Sequence, residues 1–85
     1  MKTFEYVIKD QEGIHARPAG QLVQEAKKYA CNVTLENKGK KADAKRLLAV
    51  MSLAAKCGET LTVACEGEGE ESAAEALKIF LTNNM

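Results

Sequence analysis

The stretch Gly13–Ile14–His15–Ala16–Arg17–Pro18–Ala19–Gly20 carries the only histidine and the only proline of the chain, with an arginine between them. A neutral imidazole is a nucleophile near pH 7. A guanidinium can address two oxygens of a phosphate-like group at once. If this stretch opens a helix, several backbone N–H groups beside His15 have no intrahelical partner, and the positive end of the helix dipole points the same way. An anionic group attached to the ring would meet donors already in place. The same surroundings disfavour imidazolium, so the ring is expected neutral, with a pKa below that of free imidazole; an NMR titration of the ring protons checks this. Position alone leaves a second reading open, in which His15 is a surface cap or turn residue.

No second histidine, glycine-rich phosphate loop or group of metal ligands accompanies His15. Nor is there visible machinery for activating water. A phosphoryl group held by charge but left reachable suits a carrier better than a hydrolase. No metal and no cofactor is expected.

At 85 residues the chain is read as one domain spanning 1–85, with a thin core, because so short a chain hides only about 60–65% of its unfolded surface. There is no linker, repeat or low-complexity tract. Twelve basic and twelve acidic residues cancel, which argues against nucleic acid as the partner. The layout is uneven, however. Six cations (Lys38, Lys40, Lys41, Lys45, Arg46, Lys56) lie between 38 and 56 with the single acid Asp43, and five acids lie between Glu66 and Glu75. Separate basic and acidic regions can orient a protein partner. Cys31, Cys57 and Cys65 form no close pair and are read as small buried or half-buried thiols. No apolar run reaches the roughly 20 residues of a membrane span, and the polar first fifteen residues lack a secretory signal. A reducing, cytoplasmic setting with no membrane insertion is expected.

The elements that must position His15 follow from periodicity. Phe4, Tyr6 and Ile8 alternate with Glu5, Val7 and Lys9 as a strand. From Ala16 to Tyr29, Ala19, Leu22, Val23 and Ala26 recur at helical spacing, and Pro18 is tolerated in a first turn. Val33 and Leu35 mark a second strand, Asn37–Lys38–Gly39 a turn, and Lys40–Asp43 a short third strand suited to a sheet edge. Lys45–Ala55 reads as a helix with Leu47, Val50 and Ala54 inward, ended by Gly58. Leu48 and Met51 share a neighbouring face, either as core or as an exposed docking patch ringed by Lys45 and Arg46. Leu61, Val63 and Cys65 alternate as a fourth strand. A last helix carries Ala73 or Ala74, Leu77, Phe80 and Leu81. It is opened either by a Ser72–Glu75 capping box or by Glu70 and Glu71 in its first turn, and Asn83–Asn84–Met85 is expected to fray. The sum is βαββαβα, an α+β fold with an antiparallel sheet covered on one face.

The motif Gly13–Ile14–His15–Ala16–Arg17–Pro18–Ala19 resembles the active-site signature of HPr, the histidine-containing phosphocarrier of the bacterial sugar phosphotransferase system. The likeness extends over essentially the whole chain, including Asn37–Lys38–Gly39–Lys40 and Val50–Met51–Ser52–Leu53. It implies an open-faced β-sandwich with strand order 1-4-2-3 under three helices. It further implies that His15 accepts a phosphoryl group on Nδ1 from enzyme I, ultimately from phosphoenolpyruvate, and passes it to the A domain of a sugar-specific enzyme II. Arg17 matches the phosphate-stabilising arginine, and the turn at Ala16 and Arg17 supplies backbone donors. Leu47, Leu48, Ala49 and Met51 match the patch used by both partners, with Arg46, Ser52, Pro18, Gly20, Gln21, Gln24 and Lys27 around it. Such a carrier is expected to be a monomer and not an enzyme.

Two departures stand out. Many members carry a regulatory serine at the start of the second helix, phosphorylated by an ATP-dependent kinase; here that position is Arg46. Ala49 and Ala54 replace glycines often found in that helix, a change expected to firm it. Some relatives have lost the histidine and act only as regulators, so a regulatory interaction domain, a carrier in a non-transport phosphorelay and a small anion-binding module remain alternatives.

Overall fold

The computed structural model describes residues 1–85. Its strands are β1 (Lys2–Val7), β2 (Asn32–Asn37), β3 (Lys40–Asp43) and β4 (Thr60–Glu66); its helices are α1 (Ala16–Lys27), α2 (Leu47–Ser52) and α3 (Glu70–Asn84). The strands form one antiparallel sheet in the order β1-β4-β2-β3. That is the order the HPr resemblance implies.

Alternation decides which face of the sheet is dry. One row across it pairs Phe4 with Val63, Val63 with Leu35, and Leu35 with Ala42. Leu22, Val23 and Ala26 of α1, Val50 of α2 and Leu77 and Leu81 of α3 are buried with this face in one hydrophobic core. The neighbouring row, Glu5–Thr62–Glu36–Lys41, runs along the other face. A half-wet antiparallel sheet needs this division. Lys40 and Lys41 are exposed on β3, an edge strand, where charge discourages further pairing. No helix is long and apolar enough to cross a membrane. Cys31 and Cys65 are buried, whereas Cys57, against expectation, is exposed; burial pushes the Cys65 thiol up to about 11.

Several expectations are corrected. Helix α1 stops at Lys27, two residues before Tyr29. Helix α2 is six residues long and does not extend from Lys45 to Ala55. Leu47 and Ala54 face outward; Val50 alone within α2 is buried. The chain leaves the helix well before Gly58 because distant groups capture it. Asn37 Nδ2 donates to the Leu53 carbonyl (3.3 Å), and the Ala55 carbonyl accepts from Ile14 N–H (2.9 Å). Glu59 Oε1 accepts from Lys56 N–H (2.9 Å). Ala54 consequently sits at φ +51°, a left-handed conformation that disfavours a side chain. Alanine there strains the helix exit where firming was expected.

Helix α3 has no capping box. It starts at Glu70 behind Gly69, at φ +78°, with Glu70 and Glu71 in its first turn, so Ser72 is already inside the helix. Its end does not fray. Helical structure persists to Asn84, Met85 is 4% exposed, and the Met85 carbonyl accepts from Lys9 N–H (2.7 Å) and Asp10 N–H (2.9 Å). The segment between β1 and α1 needs those acceptors, and they hold the last residue in place.

Candidate functional site

The loop before α1 is built from the backbone outward. Gly13 takes φ +67°, and a Cβ there would overlap the Ala55 carbonyl and lie 2.9 Å from Lys56 Cα. This close approach sets up the bond from Ile14 N–H to the Ala55 carbonyl (2.9 Å), and Ile14 is itself buried. His15 follows in extended conformation (φ −120°, ψ −179°) as the N-cap residue of α1. Its carbonyl accepts the first helical bond, from Ala19 N–H at 3.0 Å.

The imidazole itself caps nothing: the N-cap side chain makes no hydrogen bond to the helix. A side-chain cap is therefore not what His15 provides, and both ring nitrogens remain free of the helix backbone. The amides of Ala16 and Arg17 lie ahead of the first helical bond, Pro18 has none, and no acidic residue occupies the first turn. Donors and dipole are therefore available to an anion on the ring. Pro18 is buried while Ala16 and Arg17 are exposed. The hollow in front of His15, about 240 Å³, is lined by Asp10, His15, Arg17, Pro18, Gln21, Asn83 and Asn84, with no hydrophobic residue.

Three of these escaped sequence reasoning. Asp10 lies in the polar stretch Asp10–Gln11–Glu12–Gly13 that follows β1, and its Oδ2 lies 3.5 Å from His15 Nε2. The Glu12 amide, donating to Oδ1 at 2.9 Å, and secondarily His15, hold the Asp10 carboxyl below the usual carboxylate range. The expectation of a neutral ring weighed only the helix terminus and Arg17, without this facing carboxylate. Asn83 and Asn84 arrive from the end of α3. The signal for Asp10 was present: aspartate two residues before an exposed amide is the spacing of an Asx-turn.

A second surface lies on α2 and the helix packed beside it, α1. Leu48 is 83% exposed, Leu47 42% and Met51 37%. Between them Ala49 is half-buried, and Ser52 is exposed with its hydroxyl donating to the Ala49 carbonyl (2.7 Å). Gln21, Gln24 and Lys27 are exposed on α1, and Gly20 is half-buried. Arg46, the exposed N-cap residue of α2, is only loosely paired with Asp43 (3.9 Å). Lys45 does not stand free at the patch: its Nζ donates to the Tyr29 carbonyl (2.7 Å) just beyond the end of α1.

Residues 2–83 match the family model described as the PTS HPr component phosphorylation site. The chain belongs to the HPr family. It is 45% identical over 82 residues to the phosphocarrier protein HPr of Lysinibacillus sphaericus, covering 96% of this chain and 93% of that one. Among solved structures it is similar to the histidine-containing phosphocarrier protein of Mycoplasma, with TM-score 0.94 and 33% identity over 96% of this chain and 93% of that chain. It is also similar to Crh, the catabolite-repression protein of Bacillus subtilis, described as a dimer with an unexpected swapping domain. That match has TM-score 0.78 and 36% identity, over 94% of this chain and 92% of the other. By family, then, the chain is of the phosphocarrier type found in the phosphotransferase system and not a catalytic enzyme.

Proposed function

We propose that this protein accepts a phosphoryl group on His15 Nδ1 from phosphorylated enzyme I and donates it to the A domain of a sugar-specific enzyme II. The Nδ1 lone pair forms the bond to phosphorus as the donor's own bond to phosphorus breaks, and the departing donor keeps that electron pair. Attack by the enzyme II acceptor reverses the roles. The observation that carries this reading is the unspent imidazole at the N-cap of α1, with the Ala16 and Arg17 amides ahead of the first helical bond. Arg17 supplies the countercharge, and the α2 surface around Leu48 and Met51 is where both partners dock. The carrier works as a single domain and a monomer in the cytoplasm. At Arg46 no hydroxyl is present to receive a regulatory phosphate.

Incubation with phosphoenolpyruvate and a cognate enzyme I, followed by intact mass, tests the proposal. One phosphoryl addition is expected, labile in acid, stable in base and absent in His15→Ala. Arg17→Ala is expected to fold normally and to slow transfer by about 1–3 kcal/mol, the worth of a charged hydrogen bond. The similarity to Crh gives the second reading, a regulatory interaction domain. An absent adduct, with the chain still binding a regulatory partner, would establish it. Light scattering decides between the monomer and a swapped dimer of the kind described for Crh.

A further inference from the structure

We propose that Asp10 is a positioning residue that keeps the proton of His15 on Nε2, so that the lone pair sits on Nδ1 where the phosphoryl group is taken up. The inference rests on the carrier reading of His15 and names what prepares that nucleophile.

Asp10 is held from three sides. Its N–H donates to the Met85 carbonyl (2.9 Å), its carbonyl accepts from Gly13 N–H (2.9 Å), and its Oδ1 accepts from Glu12 N–H (2.9 Å). Only Oδ2 is left over, and it faces His15 Nε2 at 3.5 Å. The ring's own backbone is equally fixed, by the Ile14 bond to Ala55 on one side and the Ala19 bond to the His15 carbonyl on the other. An ionised carboxylate can only accept, so the nitrogen facing it must carry the hydrogen. A neutral imidazole has one such hydrogen, which leaves Nδ1 bare. At 3.5 Å the pair stands just beyond a formed hydrogen bond, and catalytic contacts of this kind often tighten only in the reacting complex.

The arrangement also removes a proton from the chemistry. When Nδ1 bonds to phosphorus the Nε2 hydrogen stays where it is, and the positive charge gained by the ring develops opposite Asp10. No general base is required in either direction, which suits a group that must be handed on as readily as it is received.

The test separates positioning from mere loop structure. Asp10→Asn keeps an oxygen for the Glu12 amide but turns an NH₂ donor toward Nε2, which favours the Nδ1–H tautomer. Asp10→Ala removes both influences. Single-turnover acceptance from phosphorylated enzyme I is therefore expected to fall in the order wild type, Ala, Asn. The Asn variant should lie at least about tenfold below Ala, a milder form of the wrong-tautomer loss seen when a histidine's buried aspartate becomes asparagine. A purely structural role predicts the reverse, because Asn preserves the turn and Ala does not. Ring ¹⁵N shifts of the free protein, above the pH at which the ring titrates, provide a readout independent of transfer. They should report Nε2–H in the wild type and a shift toward Nδ1–H in Asp10→Asn. Unchanged tautomers, or an Asn variant at least as fast as Ala, would overturn the role of Asp10. Failure of the wild type to become phosphorylated would instead overturn the carrier reading, and the ¹⁵N shifts would still decide whether Asp10 sets the tautomer.

Discussion

Replacing Gly13 by alanine is expected to damage folding and phosphoryl acceptance together, because one main-chain contact serves both. The added methyl would overlap the Ala55 carbonyl oxygen and lie 3.2 Å from the Ala55 carbonyl carbon and 2.9 Å from Lys56 Cα. All of these are backbone atoms, which cannot swing aside as a side chain can. Holding alanine at φ +67° costs about 1–2 kcal/mol, offset by roughly 0.4–1 kcal/mol of unfolded-chain entropy. Relieving the overlap separates Ile14 from Ala55 and breaks their hydrogen bond, adding about 1 kcal/mol or more. Partial exposure of Ile14, now 8% exposed, contributes about 1 kcal/mol further. The sum is on the order of 2–4 kcal/mol, which in a domain of this size lowers Tm by about 10–25 °C. His15 follows directly in the displaced segment, so transfer from enzyme I should slow even at temperatures where the variant is fully folded. Thermal melts read against single-turnover transfer at 10 °C measure the two effects separately. A variant within about 0.5 kcal/mol of the parent and equally fast would refute the claim that this contact fixes the histidine.

The two alanines of the α2 region should respond to glycine with opposite signs. Ala54→Gly relieves a left-handed, exposed residue and should stabilise by about 0.5–1 kcal/mol, whereas Ala49→Gly lies inside the helix and should destabilise by about 1 kcal/mol; urea midpoints for both give the answer. Glu59 has its carboxyl lowered to about 2, chiefly by Lys38 and then by the Lys56 amide. A group depressed in the folded state contributes stability above its unfolded value, about 4.3. That stability is lost as pH falls through about 4 toward 2, and Glu59→Gln should flatten this part of the stability–pH curve. Leu48→Glu changes a side chain 83% exposed in the free protein, so Tm should move by no more than about 2–4 °C. Affinity for enzyme I should fall about tenfold or more, the worth of burying a leucine at an interface; normal affinity would move the docking surface elsewhere.

What the sequence disclosed and what it hid divide along one physical line. Wherever a segment's own periodicity was answered by the core, reading it was enough: Leu61, Val63 and Cys65 are buried while Thr60 and Glu66 are exposed, and α1 buries Ala19, Leu22, Val23 and Ala26 as its spacing demanded. The α2 region misled at Leu47 because its apolar residues do not all face the core. Val50 belongs to the core, but Leu47, Leu48 and Met51 are apolar and outward. A pattern of hydrophobic letters does not say which of them the core will cover. The helix also ends where Asn37, sixteen residues away in sequence, reaches Leu53, and no local window contains that partner.

The site itself was half legible for the same reason. His15, Ala16, Arg17 and Pro18 are contiguous, and the chemistry of a helix start is a local matter. Asp10 is only five positions upstream, but its effect depends on a turn closed by Gly13 N–H and Glu12 N–H and on the Met85 carbonyl arriving from the far end of the chain. Met85, expected to fray, and Asp10 are thus bonded to each other. The end of α3 holds Asp10 and Asp10 faces the ring, so the tautomer choice proposed for His15 depends on a contact that begins seventy residues from it in sequence. Weakening the grip of Met85 on Lys9 and Asp10 should therefore shift the tautomer balance at His15, read from the ring ¹⁵N shifts, with no residue of the loop that carries it replaced.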